Sequence, residues 1–225
     1  MGRYYELHLS ASRLQQVYEI ASPRIRQYLR AETDHVIHRV HGATRVLELG
    51  CGYGRVLREI APHVGRAVGN DTSRPSLVLA SSYLEGIGNC DLVRMSADRL
   101  AFSEAVFDAV LCIQNGISAF GVDRQRLVAE AVRVTRRGGV ILFSTYSPRI
   151  WPDRLEWFRA QSRAGLLGEL DETCSRDGTI VCEDGFRSQA VSDPEFRTLF
   201  ETVDQEVAFC EVDGSSLFAE VTRTG

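Results

Sequence analysis

Lysine does not occur in this chain of 225 residues; all 26 basic side chains are arginine. A Schiff base to a carbonyl cofactor needs a lysine amine, so attachment of pyridoxal phosphate is excluded. A P-loop, which needs lysine followed by serine or threonine, is excluded with it. The arginine bias itself is a matter of genomic composition rather than of mechanism. There is no uninterrupted apolar run long enough for a membrane span, and no apolar stretch follows a charged N-terminus, so neither a span nor a secretory signal is expected. Six cysteines (Cys51, Cys90, Cys112, Cys174, Cys182, Cys210) are scattered without a CxxC or paired CxxH spacing. Metal site and disulfide framework are both poor readings of them, and several sit in apolar runs as small hydrophobes. The net charge of −4 gives no basis for a general nucleic-acid surface. No internal repeat or low-complexity tail is present.

What is there is the composition of a soluble globular protein, 44% hydrophobic and 25% charged, with length for one sizeable α/β domain and a full core. A cytoplasmic location is the expectation. The chain is organised around Val46 to Arg55, VLELGCGYGR. Val46, Leu47 and Leu49 suit a buried parallel strand, and Gly50, Gly52 and Gly54 then lead into a helical stretch. Glycine is needed where a ligand lies against bare backbone or where φ is positive, and free amides at a helix start favour the negative part of a ligand. A dinucleotide fingerprint counted from Gly50 would need a third glycine where Arg55 stands, so a nicotinamide cofactor is disfavoured.

The rest of the chain alternates. Ser22-Pro23 reads as an N-cap and first helical residue, and Ile25, Tyr28, Leu29, Val36, Ile37 and Val40 recur at helical spacing, with a shorter helix before them near Ser12 to Ala21. His35 and His38 can share a face, but two histidines without a third ligand do not make a zinc site, and solvated surface is expected. Helices are expected at Val56 to Ala61, Pro75 to Ile87 and Asp123 to Thr135. Strands are expected at Arg66 to Val68, Leu92 to Met95, Phe107 to Ile113 and Val140 to Phe143, the last after an Arg136-Arg137-Gly138-Gly139 turn. Asp71 follows the second strand about 20 residues beyond the glycine loop, where a carboxylate can hold a ribose diol; capping the next helix with Thr72 and Ser73 is the plainer alternative. The alternation then breaks. A helix is expected from Trp151 to Leu167, and Glu169 to Cys174 with Thr179 to Glu183 form a hairpin across Asp177-Gly178. Pro194 to Thr202 reads as the last helix, and Val207 to Val212 pairs with Leu217 to Val221.

The ExGxGxG stretch with Glu48 in the acidic place resembles motif I of the class I, Rossmann-like S-adenosylmethionine-dependent methyltransferases. Asp71, the fourth-strand tip Gln114-Asn115-Gly116, the Gly138-Gly139 turn and the terminal hairpin follow in the family's order across residues 44 to 223. In Ser96 to Phe102, similar to the family's GDAxxLPF segment, Ser96 fills the acidic place that meets adenine and Asp98 falls two positions later. The strand-four tip lacks the NPPY sequence that marks amino-methylation of bases. The resemblance implies an α/β fold: a doubly wound, mostly parallel seven-stranded sheet of order 3-2-1-4-5-7-6 with strand 7 antiparallel, N-terminal helices and a small insertion after strand 5. It implies a helical lid at residues 1–43, a Rossmann-like domain at 44–225, and a substrate cover at 144–193. It further implies S-adenosylmethionine held by Glu48, Gly50, Cys51, Gly52, Gly54, Asp71, Thr72, Ser96, Ala97 and Gln114, with Asn115 beside them, Tyr18 and Tyr28 as lid contacts, and no metal. Core packing is the stronger reading for Tyr28.

The implied activity is in-line methyl transfer to a small-molecule acceptor, with no membrane and no oligomeric state implied. The alternatives are a non-catalytic S-adenosylmethionine-binding module and, behind it, a nicotinamide-dependent oxidoreductase. Aligning nucleophile, methyl carbon and sulfur can supply roughly 7 to 11 kcal/mol through orientation alone, so no triad is required. If a general base is used, Tyr146, Asp184 and His8 are the candidates by placement, and a structural role is the stronger reading for each.

Overall fold

From residue 45 onward the apolar runs are strands and the amphipathic stretches are helices in the computed structural model, which describes residues 2–201 and 203–224. The chain opens with α1 (Gly2–His8), α2 (Ser12–Glu19) and α3 (Pro23–Val40). Next come β1 (Arg45–Leu49), α4 (Arg55–Ile60), β2 (Arg66–Asp71), α5 (Arg74–Tyr83), β3 (Cys90–Arg94), β4 (Phe107–Cys112), α6 (Gly116–Ala119) and α7 (Arg124–Val134). It finishes with β5 (Thr135–Tyr146), α8 (Trp151–Arg163), β6 (Thr179–Val181), β7 (Arg187–Gln189), α9 (Asp193–Glu201), β8 (Glu206–Val212) and β9 (Ser216–Thr222). Met1 and Gly225, the outer bounds of the expected domains, and Thr202, the expected end of the last helix, lie outside the described residues.

The large sheet runs β3-β2-β1-β4-β5-β9-β8, with β9 antiparallel to both neighbours. Counted without the separate β6–β7 pair, this is the expected order 3-2-1-4-5-7-6 with its antiparallel seventh strand. Chain order reverses between β1 and β4, which leaves a crevice at the C-terminal ends of those strands. One face of the sheet is closed by Leu127, Val128, Ala131 and Val134 of α7 with Phe196 and Phe200 of α9. The other is closed by Val36 and Val40 of α3 with Val56, Leu57 and Ile60 of α4. A third core lies apart from these two, built from Leu9, Val17, Ile25, Tyr28, Trp157, Phe158, Ile180 and Phe186. Helix α3 belongs to two cores, its first half in this cap and its second half under the sheet. Ser22 starts it by accepting the Ile25 amide with Pro23 in the first turn, as its sequence indicates.

Four expectations change. The hairpin pairs β6 with β7 around Asp184-Gly185, and the Glu169–Cys174 segment touches the other run through a single Leu170–Cys182 bridge. Gly185 takes φ +88 and the Asp184 carboxylate accepts the amides of Gly168 and Phe186, so this Asp-Gly turn is fastened on both sides. Arg136 to Gly139 lies within β5 as a looped-out register shift, because Phe107 pairs with Thr135 and Ala109 with Val140. His35 is half-buried rather than a solvated surface group: its ring packs on Phe218 at 4.6 Å and its Nε2 lies 2.7 Å from Glu220. Finally, α1 carries no sequence signal that marked it as a helix. Among the described residues no helix is long and apolar enough to cross a membrane.

Candidate active site

The loop after β1 is shaped by positive φ at Gly50 (+68) and Gly54 (+87). A Cβ on Gly50 would stand 2.3 Å from the Phe120 ring, so this position has neither the backbone region nor the space for another residue. The loop is tied to the tip of β2. Asp71 accepts the Gly52 amide at 2.9 Å and the Ser73 amide at 2.8 Å, and Cys51 donates its amide to Asn70 at 3.0 Å. Asp71 thus holds the loop and starts the turn toward α5. Gly54 serves the turn into α4 beneath Leu84 and does not line the cavity described below.

At the tip of β4, Gln114 and Asn115 both adopt left-handed backbone, φ +53 and +59. Such strain in a non-glycine residue persists only where the surroundings over-determine it. Here they do. The Gln114 amide donates to Ser144 Oγ at 2.8 Å and to Glu32 at 3.3 Å, and its side-chain oxygen accepts from the Tyr18 hydroxyl at 2.9 Å. Asn115 bridges Gln189 of β7 and Thr145 of β5 and faces away from the cavity, so the expectation that it borders the ligand is replaced by a structural role. Ser96 donates its hydroxyl to Asp98, which places the acid of this segment one contact behind the serine rather than at the cavity wall.

These strand tips and the cap enclose one cavity of about 560 Å³. Of the ten residues expected to hold a cofactor, Glu48, Gly50, Cys51, Gly52, Asp71, Thr72, Ser96, Ala97 and Gln114 line it. Its far end is walled by Tyr18, Tyr28, Tyr146, Trp157, Phe158 and Gln161. Tyr28 is 1% exposed and packs against Tyr146 with ring centroids 5.6 Å apart, serving core and wall together. Of the three candidate bases only Tyr146 reaches the cavity. Asp184 is spent on its turn and on the Tyr4 hydroxyl, and His8 is exposed beside the Tyr4 ring.

Ionisation follows burial. Removal from water pushes the Glu48 carboxyl up to about 8, against a smaller opposing pull from Arg55. Burial also raises Glu32, opposed by bonds from Ser144 and Gln114, and it raises the Tyr146 phenol against the field of Arg154. Burial lifts the Cys51 thiol well above its ordinary value, so it is not a nucleophile. The most informative atoms are those with no partner. Glu48 Oε2, Asn70 Oδ1, Arg55 Nη2, Gln114 Nε2 and Gln161 Nε2 are buried with no hydrogen-bond partner among the described residues, and all five residues line this cavity. Leaving such a group unmade costs about 1 to 3 kcal/mol, so five together mark a place built for a polar ligand.

Sequence reasoning missed Arg55, Gln161 and Glu32. Arg55 stood only as the residue that spoils a dinucleotide fingerprint; its guanidinium lies 4.8 Å over the Tyr18 ring. Arg154, Trp157, Phe158 and Gln161 form the buried stripe of α8, and Ile25, Tyr28, Leu29, Glu32, Val36 and Val40 that of α3. A polar residue falling in register with an apolar stripe was the available signal in both.

The family model described as a methyltransferase domain matches residues 46–139. A ubiquinone biosynthesis O-methyltransferase of Rhizobium etli is 27% identical over 52% of this chain and 47% of its own length. This chain thus matches about half the length of its curated relatives. The PH0226 protein of Pyrococcus horikoshii OT3 has the same fold over 100% of both chains, TM-score 0.68 at 18% identity. So does a Burkholderia thailandensis 1,6-didemethyltoxoflavin-N1-methyltransferase, crystallised with that compound and S-adenosylhomocysteine, over 88% of this chain and 78% of its own, TM-score 0.61 at 16% identity. The sheet order and the laced glycine loop are those of the class I, Rossmann-like methyltransferase fold, and the centre of this chain matches the methyltransferase domain model.

Proposed function

We propose that this protein moves a methyl group from S-adenosylmethionine to a small-molecule acceptor by in-line displacement. The observation that carries the reading is the convergence of orphaned polar atoms on the one cavity that the glycine loop borders. Their chemistry matches the cofactor's. Glu48 Oε2 is an acceptor for an ammonium, and Arg55 Nη2 is a donor for a carboxylate. Asp71 places a carboxylate at the β2 tip for a ribose diol, and the Ser96 oxygen can accept from an adenine amino group. When bound, S-adenosylmethionine supplies an electrophilic methyl carbon on a sulfonium. The chain contributes position: Gln114, held by Tyr18 and Ser144, stands between the loop and the aromatic end. Tyr146 keeps its proton at neutral pH, so it orients rather than abstracts.

In this reading the helices before residue 44 are a lid and residues 144–193 cover the acceptor, supported by the shared core that joins α2, α3 and α8. A cytoplasmic location is part of the proposal, supported by six cysteines that stand as free thiols. Isothermal titration with S-adenosylhomocysteine should give a dissociation constant in the micromolar range and no heat with NAD. Asp71→Ala should weaken binding by tenfold or more, about 1.4 kcal/mol. Unchanged affinity in that variant removes the ribose assignment, and heat with NAD alone replaces the reading by a nicotinamide enzyme. Binding without transfer of labelled methyl to any fraction of a cell extract would leave a non-catalytic module.

A further inference from the structure

Charge is distributed unevenly along the cavity. Glu48, Arg55 and Asp71 are its charged lining residues, and all three belong to the glycine-loop end. The opposite end has aromatic walls and one orphaned polar group, the Gln161 amide, whose residue is 1% exposed and whose Nε2 has no partner among the described residues. Two neighbouring donors are already engaged: the Trp157 indole donates to the Val17 carbonyl at 3.0 Å and the Tyr18 hydroxyl to Gln114. Two buried ionisable groups stand behind the wall without lining it: Arg154, 4.2 Å from the Tyr146 ring centroid, and Glu32, one turn along α3 from Tyr28. A charged acceptor would therefore lose its hydration for no paired partner, whereas a flat ring gains apolar and aromatic contact on several sides.

Building on the methyltransferase reading, we propose that the acceptor is an uncharged, planar aromatic or heteroaromatic molecule. Its ring lies among Tyr28, Tyr146, Trp157 and Phe158, and a carbonyl or hydroxyl oxygen on it accepts a hydrogen bond from Gln161 Nε2. Gln161 is the specificity-determining residue of this end. A buried donor left unmade discriminates strongly against ligands that lack the matching acceptor.

Three probes sharing one ring test this: 1-naphthol, 1-naphthylmethylamine and 1-naphthoate, titrated at pH 7 into the full chain saturated with S-adenosylhomocysteine. Neutral naphthol should bind at least tenfold tighter than the cation or the anion. Gln161→Leu should weaken naphthol at least fivefold while leaving the affinity for S-adenosylhomocysteine unchanged. The ranking of the three compounds needs no variant and stands even if Gln161→Leu fails to fold. Equal or tighter binding of either charged compound, or binding of none, overturns the acceptor proposal, as does a folded Gln161→Leu protein that binds naphthol as the wild type does. Failure of S-adenosylhomocysteine itself to bind instead removes the methyltransferase reading on which this one rests, and this one with it.

Discussion

Glu48 shows how a single side chain reports on the cavity around it. Burial raises its carboxyl to about 8, so at pH 7 the free protein holds this proton. A ligand ammonium at Oε2 favours the ionised form, and binding should therefore release a proton. Titrations of S-adenosylhomocysteine at pH 7 in buffers of different ionisation heat should show that release. Affinity should rise from pH 6 to pH 8.5, and Glu48→Gln should abolish both effects; a wild type that releases no proton would place the ligand's ammonium elsewhere. Residues whose role rests on local spacing were legible from the sequence: the glycines of the loop and Asp71 come together because a parallel strand pair places their tips side by side. Asn115 was misjudged because its partners, Gln189 and Thr145, lie far along the chain. Gln161 is invisible in the sequence for a related reason, since an orphaned amide exists only once the cap has closed around the cavity.

Among the elements, α3 carries the clearest consequence. Its Glu32 accepts from Ser144 of β5 at 2.6 Å and from the Gln114 amide, fastening the cap to the strand tips. Burial raises its folded-state pKa above the ordinary carboxylate value of about 4.3. The folded chain then binds the extra proton, so this contribution to stability is complete below that ordinary value and declines as the pH climbs through the raised one. Glu48 acts in the same direction, its share lost through about pH 8. Glu32→Gln keeps an acceptor for the Ser144 hydroxyl and removes the linkage, so denaturant midpoints measured from pH 5 to 9 should fall less for the variant than for the wild type. Parallel curves would show that Glu32 does not titrate in this range. Element boundaries in the sheet followed from apolar runs and glycine stops. The hairpin did not, because two Asp-Gly pairs, at Asp177 and Asp184, offer the same local turn and the contacts of Asp184 with Gly168, Phe186 and Tyr4 select between them.

For the molecule as a whole, the alternation of strand and helix through β5 already prescribes a parallel doubly wound sheet, and the reversal of strand order at β1 and β4 prescribes where a ligand lies. The cap is different. Its core draws on α1, α2, α3, α8 and the β6–β7 pair, segments separated by more than 100 residues whose periodicity shows that each has an apolar side but not which partner covers it. The sheet end of the cavity, which takes the adenosyl part in this account, was therefore readable, and the aromatic end was not. The most direct test of the account is a crystal structure of the protein with S-adenosylhomocysteine. Its ribose should lie at Asp71, its amino group at Glu48 and its adenine at Ser96 and Ala97. The compound seated elsewhere, or this cavity empty at saturating concentration, would contradict it.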